Sequence, residues 1–178
     1  MQNEKNVQSG NGILSWIDRA ISWLGEASGF LVLPLIAVVV VEVFSRYALH
    51  SPTIWAWEMS RFFGGSMFVL ALGYIYLRDQ HVRVDILYTR WSPRTRAIVN
   101  VVMVLLVVLP VLIPSLIKMY DTAALSWVTK EVSSDSAWRV PVYPFKAIMP
   151  FSMGLLLISV VVKFVRDLRT LIKGESNV

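Results

Sequence analysis

The stretch VVMVLLVVLPVLIPSLI, Val101 to Ile117, decides the fold, because it carries no charge over most of the length of a membrane crossing. A second uncharged run, GFLVLPLIAVVVV, extends from Gly29 to Val41. The chain of 178 residues is 56% hydrophobic and only 16% charged, whereas soluble domains are about 25% charged. Continuous apolar runs are typical of bilayer-spanning helices. The sequence therefore predicts an all-α integral membrane protein.

Four segments have the length and polarity of membrane spans. At about 1.5 Å per residue, each is roughly 31–36 Å long, which is enough for a hydrocarbon core of about 30 Å. We expect four transmembrane helices at residues 27–49, 54–77, 97–120 and 145–165. The predicted organisation is an N-terminal segment with an interfacial helix, a four-helix transmembrane domain and a tail, at residues 1–26, 27–165 and 166–178.

The distribution of lysine and arginine predicts the orientation. With both termini in the cytoplasm, 11 of these residues lie inside and four outside, while Arg46 and Arg61 fall within spans. An excess of basic residues on the cytoplasmic side is the general rule for membrane proteins. The net charge of +5 is explained in this way without a nucleic-acid partner, and we predict none.

Two short segments have the pattern of amphipathic helices at the membrane surface. In GILSWIDRAISWLGE, Gly12 to Glu26, apolar residues recur at helical spacing, and Trp16 and Trp23 share their face. We expect this helix to lie on phospholipid with both tryptophans down. Its polar residues are predicted on the opposite, exposed face: Ser15, Asp18, Arg19 and Ser22. Further aromatic anchors are predicted at the two interfaces: Trp55, Trp57 and Trp91.

The first two spans contain four charged residues, and charges within a membrane suggest function by default. Glu42 and Arg46 are four positions apart, and Glu58 and Arg61 are three apart, so each pair can form along one helix face. All four lie near the turn at residues 50–52, and their charges cancel. We expect one neutral cluster that pins this hairpin. Docking on another subunit, or a proton or ion relay, are the alternatives.

The segment RDQHVRVDIL, Arg78 to Leu87, could be read as the start of an active site. His81 and Asp85 are one helical turn apart, but two ligands are too few for a metal site, and the chain has no cysteine. We expect His81, Arg83 and Asp85 to order a cytoplasmic turn, and we predict no catalytic residue, metal or cofactor. Two other functions are alternatives. An anchor for a redox enzyme would need paired intramembrane histidines, and a self-contained channel would conduct ions without other subunits.

Two stretches, SRYALHSPTIWAWEMSRFF from Ser45 and GYIYLRDQHVRVDILYTRWSPRTR from Gly73, resemble the small membrane subunit of tripartite ATP-independent periplasmic (TRAP) transporters, the DctQ-like family. The similarity covers about residues 27 to 165. The matching positions, in chain order, are Arg46, Tyr47, Trp55, Glu58, Arg61, His81, Arg83, Asp85, Pro144, Lys146 and Pro150.

This resemblance implies a role in uptake across a bacterial inner membrane. A periplasmic binding protein delivers an organic acid to a large membrane subunit, which moves substrate and sodium as an elevator. The small subunit braces the scaffold of the large one, helps to dock the binding protein and carries no substrate itself. The resemblance also places Tyr47 with the polar residues of the hairpin.

Overall fold

The computed structural model describes residues 12–78 and 93–173, which are almost entirely helical. The α-helices, in chain order, are α1 (Gly12–Gly29), α2 (Val32–Tyr47), α3 (Ala56–Leu77), α4 (Pro93–Met103), α5 (Leu109–Val128) and α6 (Tyr143–Lys173). A π-helical segment, Val104–Val108, joins α4 to α5.

Four helical stretches are long and apolar enough to cross a membrane, which confirms the predicted fold class. They are Ser15–Tyr47, Ala56–Leu77, Ile98–Val128 and Tyr143–Leu168. The third reaches eight residues beyond the predicted end at Tyr120. No helix breaker follows Tyr120, and α5 continues to Val128. Lys130 then has a left-handed backbone conformation, with φ of 49°.

Helices α1 and α2 form one stretch that runs antiparallel to α3. The α-helix is interrupted at Phe30 and Leu31, where the N–H of Phe30 bonds the carbonyl of Ala27 at 3.1 Å. Gly25 in α1 packs directly against Tyr74, and a Cβ atom at this glycine would overlap that side chain. Because glycine has no Cβ atom, α1 can lie close to α3 at this position.

Helices α3 and α6 run parallel and form the centre of the bundle. Near one end, the rings of Phe62 and Phe145 stack with centroids 4.8 Å apart. Near the other, a Cβ atom at Gly73 would lie 3.2 Å from the hydroxyl of Ser159. Small residues therefore allow close helix packing here, as is usual where lipid offers no hydrophobic driving force.

Two connections meet at the same end of the bundle, which we call the loop side. One is the turn between α2 and α3, residues 48–55, and the other is the outer segment, residues 129–142. They face each other across a cavity that contains Trp55 and Trp138. The outer segment folds back on itself, because the N–H of Ser133 bonds the carbonyl of Val140 at 2.8 Å.

Candidate functional site

The carboxylate of Glu42 ties α2 to the turn that follows it. Arg46 donates from Nε to Oε1 of Glu42 at 3.0 Å, and its Nη2 contacts the same oxygen. The other oxygen, Oε2, accepts the backbone N–H of Thr53 at 3.0 Å and also the Thr53 hydroxyl. This confirms the predicted pair of Glu42 and Arg46. It also shows that Thr53, which the spacing argument missed, completes the coordination of the carboxylate.

The predicted pair of Glu58 and Arg61 is wrong. The guanidinium of Arg61 pairs instead with Asp135 in the outer segment, and both side chains are 49% exposed. Glu58 accepts a hydrogen bond from the hydroxyl of Ser136. The outer segment folds over the start of α3 and provides both partners, Asp135 and Ser136. Glu58 is buried, whereas Arg61 remains at the surface.

Glu58 is the most buried charged residue among those the structure describes. It is 1% exposed, and its second oxygen, Oε2, has no hydrogen-bond partner among the described residues. The expectation that every acid of the hairpin has a basic neighbour is therefore wrong at Glu58. The polar contacts of the four charged residues of the hairpin form two groups, one around Glu42 and one between α3 and the outer segment, rather than the single cluster predicted.

A third group of contacts closes the outer segment against α6. The ammonium of Lys146 lies 2.6 Å from both carboxylate oxygens of Glu131. This contact lowers the pKa of the Glu131 carboxyl below its usual value. Glu131 lies outside the apolar helices. A backbone hydrogen bond also joins the two ends of the outer segment, since the N–H of Val142 bonds the carbonyl of Glu131 at 3.0 Å.

Asp18 was predicted on the exposed face of α1, and that prediction is wrong. The residue is buried at 5% exposure, and Arg166 of α6 donates from Nη2 to its Oδ2. Within residues 12–78 and 93–173, the other oxygen, Oδ1, has no hydrogen-bond partner. A stripe of residues at helical spacing faces the bundle instead: Asp18, Ile21, Gly25 and Ser28. The small residues of this stripe were the signal that could have identified the packed face.

The aromatic residues predicted as anchors differ in exposure. Trp16, Trp23 and Trp57 each project away from the bundle and are at least two-thirds exposed, as membrane anchoring requires. Trp55 is partly buried in the cavity of the loop side. Tyr47 is 73% exposed and lies outside the hydrogen-bonded groups described above. Contact of any of them with lipid stays a prediction.

Four predicted residues lie outside the described part of the chain: His81, Arg83, Asp85 and Trp91. Within residues 12–78 and 93–173, no group of three or more histidine, aspartate or glutamate side chains could hold a metal ion. The polar contacts described above join helices to one another and to the outer segment.

The sequence model of one protein family matches residues 35–170, and its description is "Tripartite ATP-independent periplasmic transporters, DctQ component". The matched range contains the hairpin, the outer segment and most of α6. The chain is also similar to the sialic acid TRAP transporter permease protein SiaT of Haemophilus influenzae (strain 86-028NP), with 26% identity over 94 residues. These residues are 53% of this chain and 15% of the permease, so the chain spans a small part of that protein.

Proposed function

Since the chain belongs to the DctQ component family of the TRAP transporters, we propose that this small subunit braces a large membrane subunit during sodium-driven uptake of an organic acid. The chain is a multi-pass membrane protein. We place it in a bacterial inner membrane, with both termini in the cytoplasm and the loop side in the periplasm. In this proposal the large subunit binds and moves the substrate and sodium.

The observation that carries the proposal is the internal use of the charges in the first two spans. Glu42 is held by Arg46 and Thr53, and Arg61 is held by Asp135. A carrier or an ion relay needs polar groups that can release one partner and accept a cargo. Groups whose partners lie within the same chain suit a rigid support better. At Glu58, one carboxyl oxygen accepts the hydroxyl of Ser136 in the outer segment, and the side chain is buried.

The outer surface of α2 supports association with a larger subunit. None of the residues of α2 is buried within the chain. Leu33, Ile36, Val40 and Phe44 follow one another at helical spacing, and each is more than half exposed. An apolar helix that gains so little burial from its own bundle is suited to packing against a partner helix or lipid.

The outer segment supports a part in docking a periplasmic binding protein. It is held by Arg61, Glu58 and Lys146 through three separate side-chain contacts. These contacts fix its shape while Trp138 and Arg139 remain at the surface. A fixed surface loses little conformational entropy on binding, which favours association.

Copurification and uptake test the proposal together. The tagged small subunit is expressed with the large membrane subunit and isolated in detergent, and the complex is placed in vesicles with the binding protein. Sialic acid is the first substrate to test, because a related permease is named for it. We expect copurification, and uptake that needs both subunits and an inward sodium gradient. Uptake that persists at full rate without the small subunit, or without sodium, contradicts the proposal.

A further inference from the structure

We propose that a cavity of the loop side binds the anionic headgroup of a membrane phospholipid. The cavity has a volume of about 420 Å³ and lies between α3, α5, α6 and the outer segment. Three basic and two acidic side chains line it, and these are Arg61, Lys118, Lys146, Glu131 and Asp135. The proposal concerns a ligand of the small subunit alone and does not rest on the transport function.

Both acidic side chains of the cavity pair with a basic side chain, so the third basic side chain has no acidic partner in the cavity. Asp135 pairs with Arg61, and both oxygens of Glu131 contact Lys146. Lys118 makes no ion pair with any residue in the described ranges, and this includes Asp121, which lies three positions further along α5. The cavity wall therefore presents one uncompensated positive charge, and an anion is the ligand that would neutralise it.

The position of Lys118 in α5 makes this charge unusual. It lies ten residues before the end of the helix at Val128, a distance of about 15 Å along the axis. It directly follows the uncharged run that ends at Ile117, in the stretch Ile98–Val128, which is long and apolar enough to cross a membrane. A lysine next to such an apolar run costs free energy unless its ammonium reaches a polar partner, and its long side chain can extend toward the headgroups for this purpose.

Apart from Thr122, Ser133 and Ser134, the remaining wall of the cavity is apolar, and this apolar part favours a lipid over a soluble anion. It includes Phe62, Met119, Phe145 and Met149. A small soluble anion would gain nothing from these side chains. A phospholipid can place its phosphate beside Lys118 and the upper part of an acyl chain against the aromatic and methionine side chains. A phospholipid and a soluble phosphate ester share the phosphate group, but only the phospholipid has acyl chains.

Native mass spectrometry of the purified full-length chain tests the proposal. The detergent-solubilised chain is titrated with phosphatidylglycerol, and, in separate samples, with phosphatidylcholine and with glycerol phosphate, which lacks acyl chains. We expect phosphatidylglycerol to bind more tightly than phosphatidylcholine, and glycerol phosphate not to bind. Lys118→Gln should weaken phosphatidylglycerol binding about fivefold, the effect of about one lysine contact with an anionic membrane.

Two variants make the result specific. Lys118→Arg keeps the charge and should bind phosphatidylglycerol as the unchanged chain does. Arg139→Gln removes a charge from the outer segment away from the cavity lining and should also leave binding unchanged. Circular dichroism without lipid checks that Lys118→Gln is folded. Equal phosphatidylglycerol binding by Lys118→Gln and the unchanged chain overturns the site, and glycerol phosphate binding as tightly as phosphatidylglycerol overturns its assignment to lipid.

Discussion

Glu58 at the start of α3 accepts a hydrogen bond from the hydroxyl of Ser136, which lies 78 positions later in the chain. The carboxyl group is almost fully buried, and Oε2 has no hydrogen-bond partner in the part of the chain that the structure describes. In that part of the chain, the Ser136 hydroxyl is the polar contact that compensates its burial. This bond joins the beginning of α3 to the outer segment, and it connects the hairpin of the first two spans to the second half of the protein.

Removing the Ser136 hydroxyl should destabilise the protein, because it leaves the buried carboxyl of Glu58 without a hydrogen bond. We expect Ser136→Ala to lower the free energy of unfolding by about 1–3 kcal/mol. Thermal unfolding of the purified chain in detergent measures this effect. Ser134→Ala is the matched control, because Ser134 is an exposed serine of the same segment. Equal unfolding temperatures for the two variants would show that the Glu58 contact contributes nothing.

Replacing Arg166 should loosen α1 from the bundle, since it removes the ionic partner of buried Asp18. Breaking a fully buried pair costs about 3–5 kcal/mol. Arg166 itself is about one-third exposed, so we expect Arg166→Met to cost less, about 1–3 kcal/mol. Limited proteolysis should show faster cleavage near α1. Arg19→Met, which alters an exposed arginine of α1, should leave the cleavage rate unchanged, and identical rates for both variants would contradict the role of the pair.

Adding a methyl group at Gly25 should separate α1 from α3, because the new atom would overlap the side chain of Tyr74. We expect Gly25→Ala to cost about 1–3 kcal/mol, as is typical of overpacking. Gly154→Ala in α6 is the control, since a Cβ atom there has no neighbour within 4 Å. Alanine is the better helix former, so this second change should be neutral or stabilising by up to about 1 kcal/mol. Chemical unfolding measures the free energy of unfolding of both variants. A Gly25→Ala variant that is more stable than the unchanged chain would contradict the close packing of α1 against α3.

Acid should weaken the closure of the outer segment on α6. The contact with Lys146 lowers the pKa of Glu131, so the folded protein holds the ionised form more strongly than the unfolded chain does. The resulting stability is present above the ordinary pKa of 4.5 and is lost as the pH falls through the lowered value. We expect Glu131→Gln to reduce the unfolding temperature at pH 7 and to have a smaller effect near pH 3. An equal reduction at both values would contradict the contribution of this ion pair.

The parts of the structure that depend on local sequence could be predicted, and those that depend on distant contacts could not. Long, predominantly apolar segments predicted the four spans, because lipid requires continuous apolar helices. The pair of Glu42 and Arg46 followed from their spacing on one helix face. Spacing also allowed a pair of Glu58 and Arg61. Only the fold of the outer segment decides that Asp135 and Ser136 take these two side chains instead.

Asp18 shows a second limit of sequence patterns. The amphipathic pattern of α1 assigned its tryptophans to lipid and its polar residues to water. That assignment holds for a helix with one apolar and one solvent-exposed face. In this bundle the face with Asp18 and Gly25 packs against α3 and α6, since small residues and a buried ion pair make close contact possible. Asp18 therefore lies inside the bundle rather than at its surface.

The central claim is that this chain supports transport without carrying a solute. The most direct measurement is radioactive sodium and sialic acid flux into vesicles that contain the purified small subunit alone, with vesicles of the complete transporter as the positive control. We predict fluxes through the small subunit equal to those of empty vesicles under an imposed sodium gradient. Sodium or sialic acid flux that rises with the amount of small subunit in the membrane would contradict the claim.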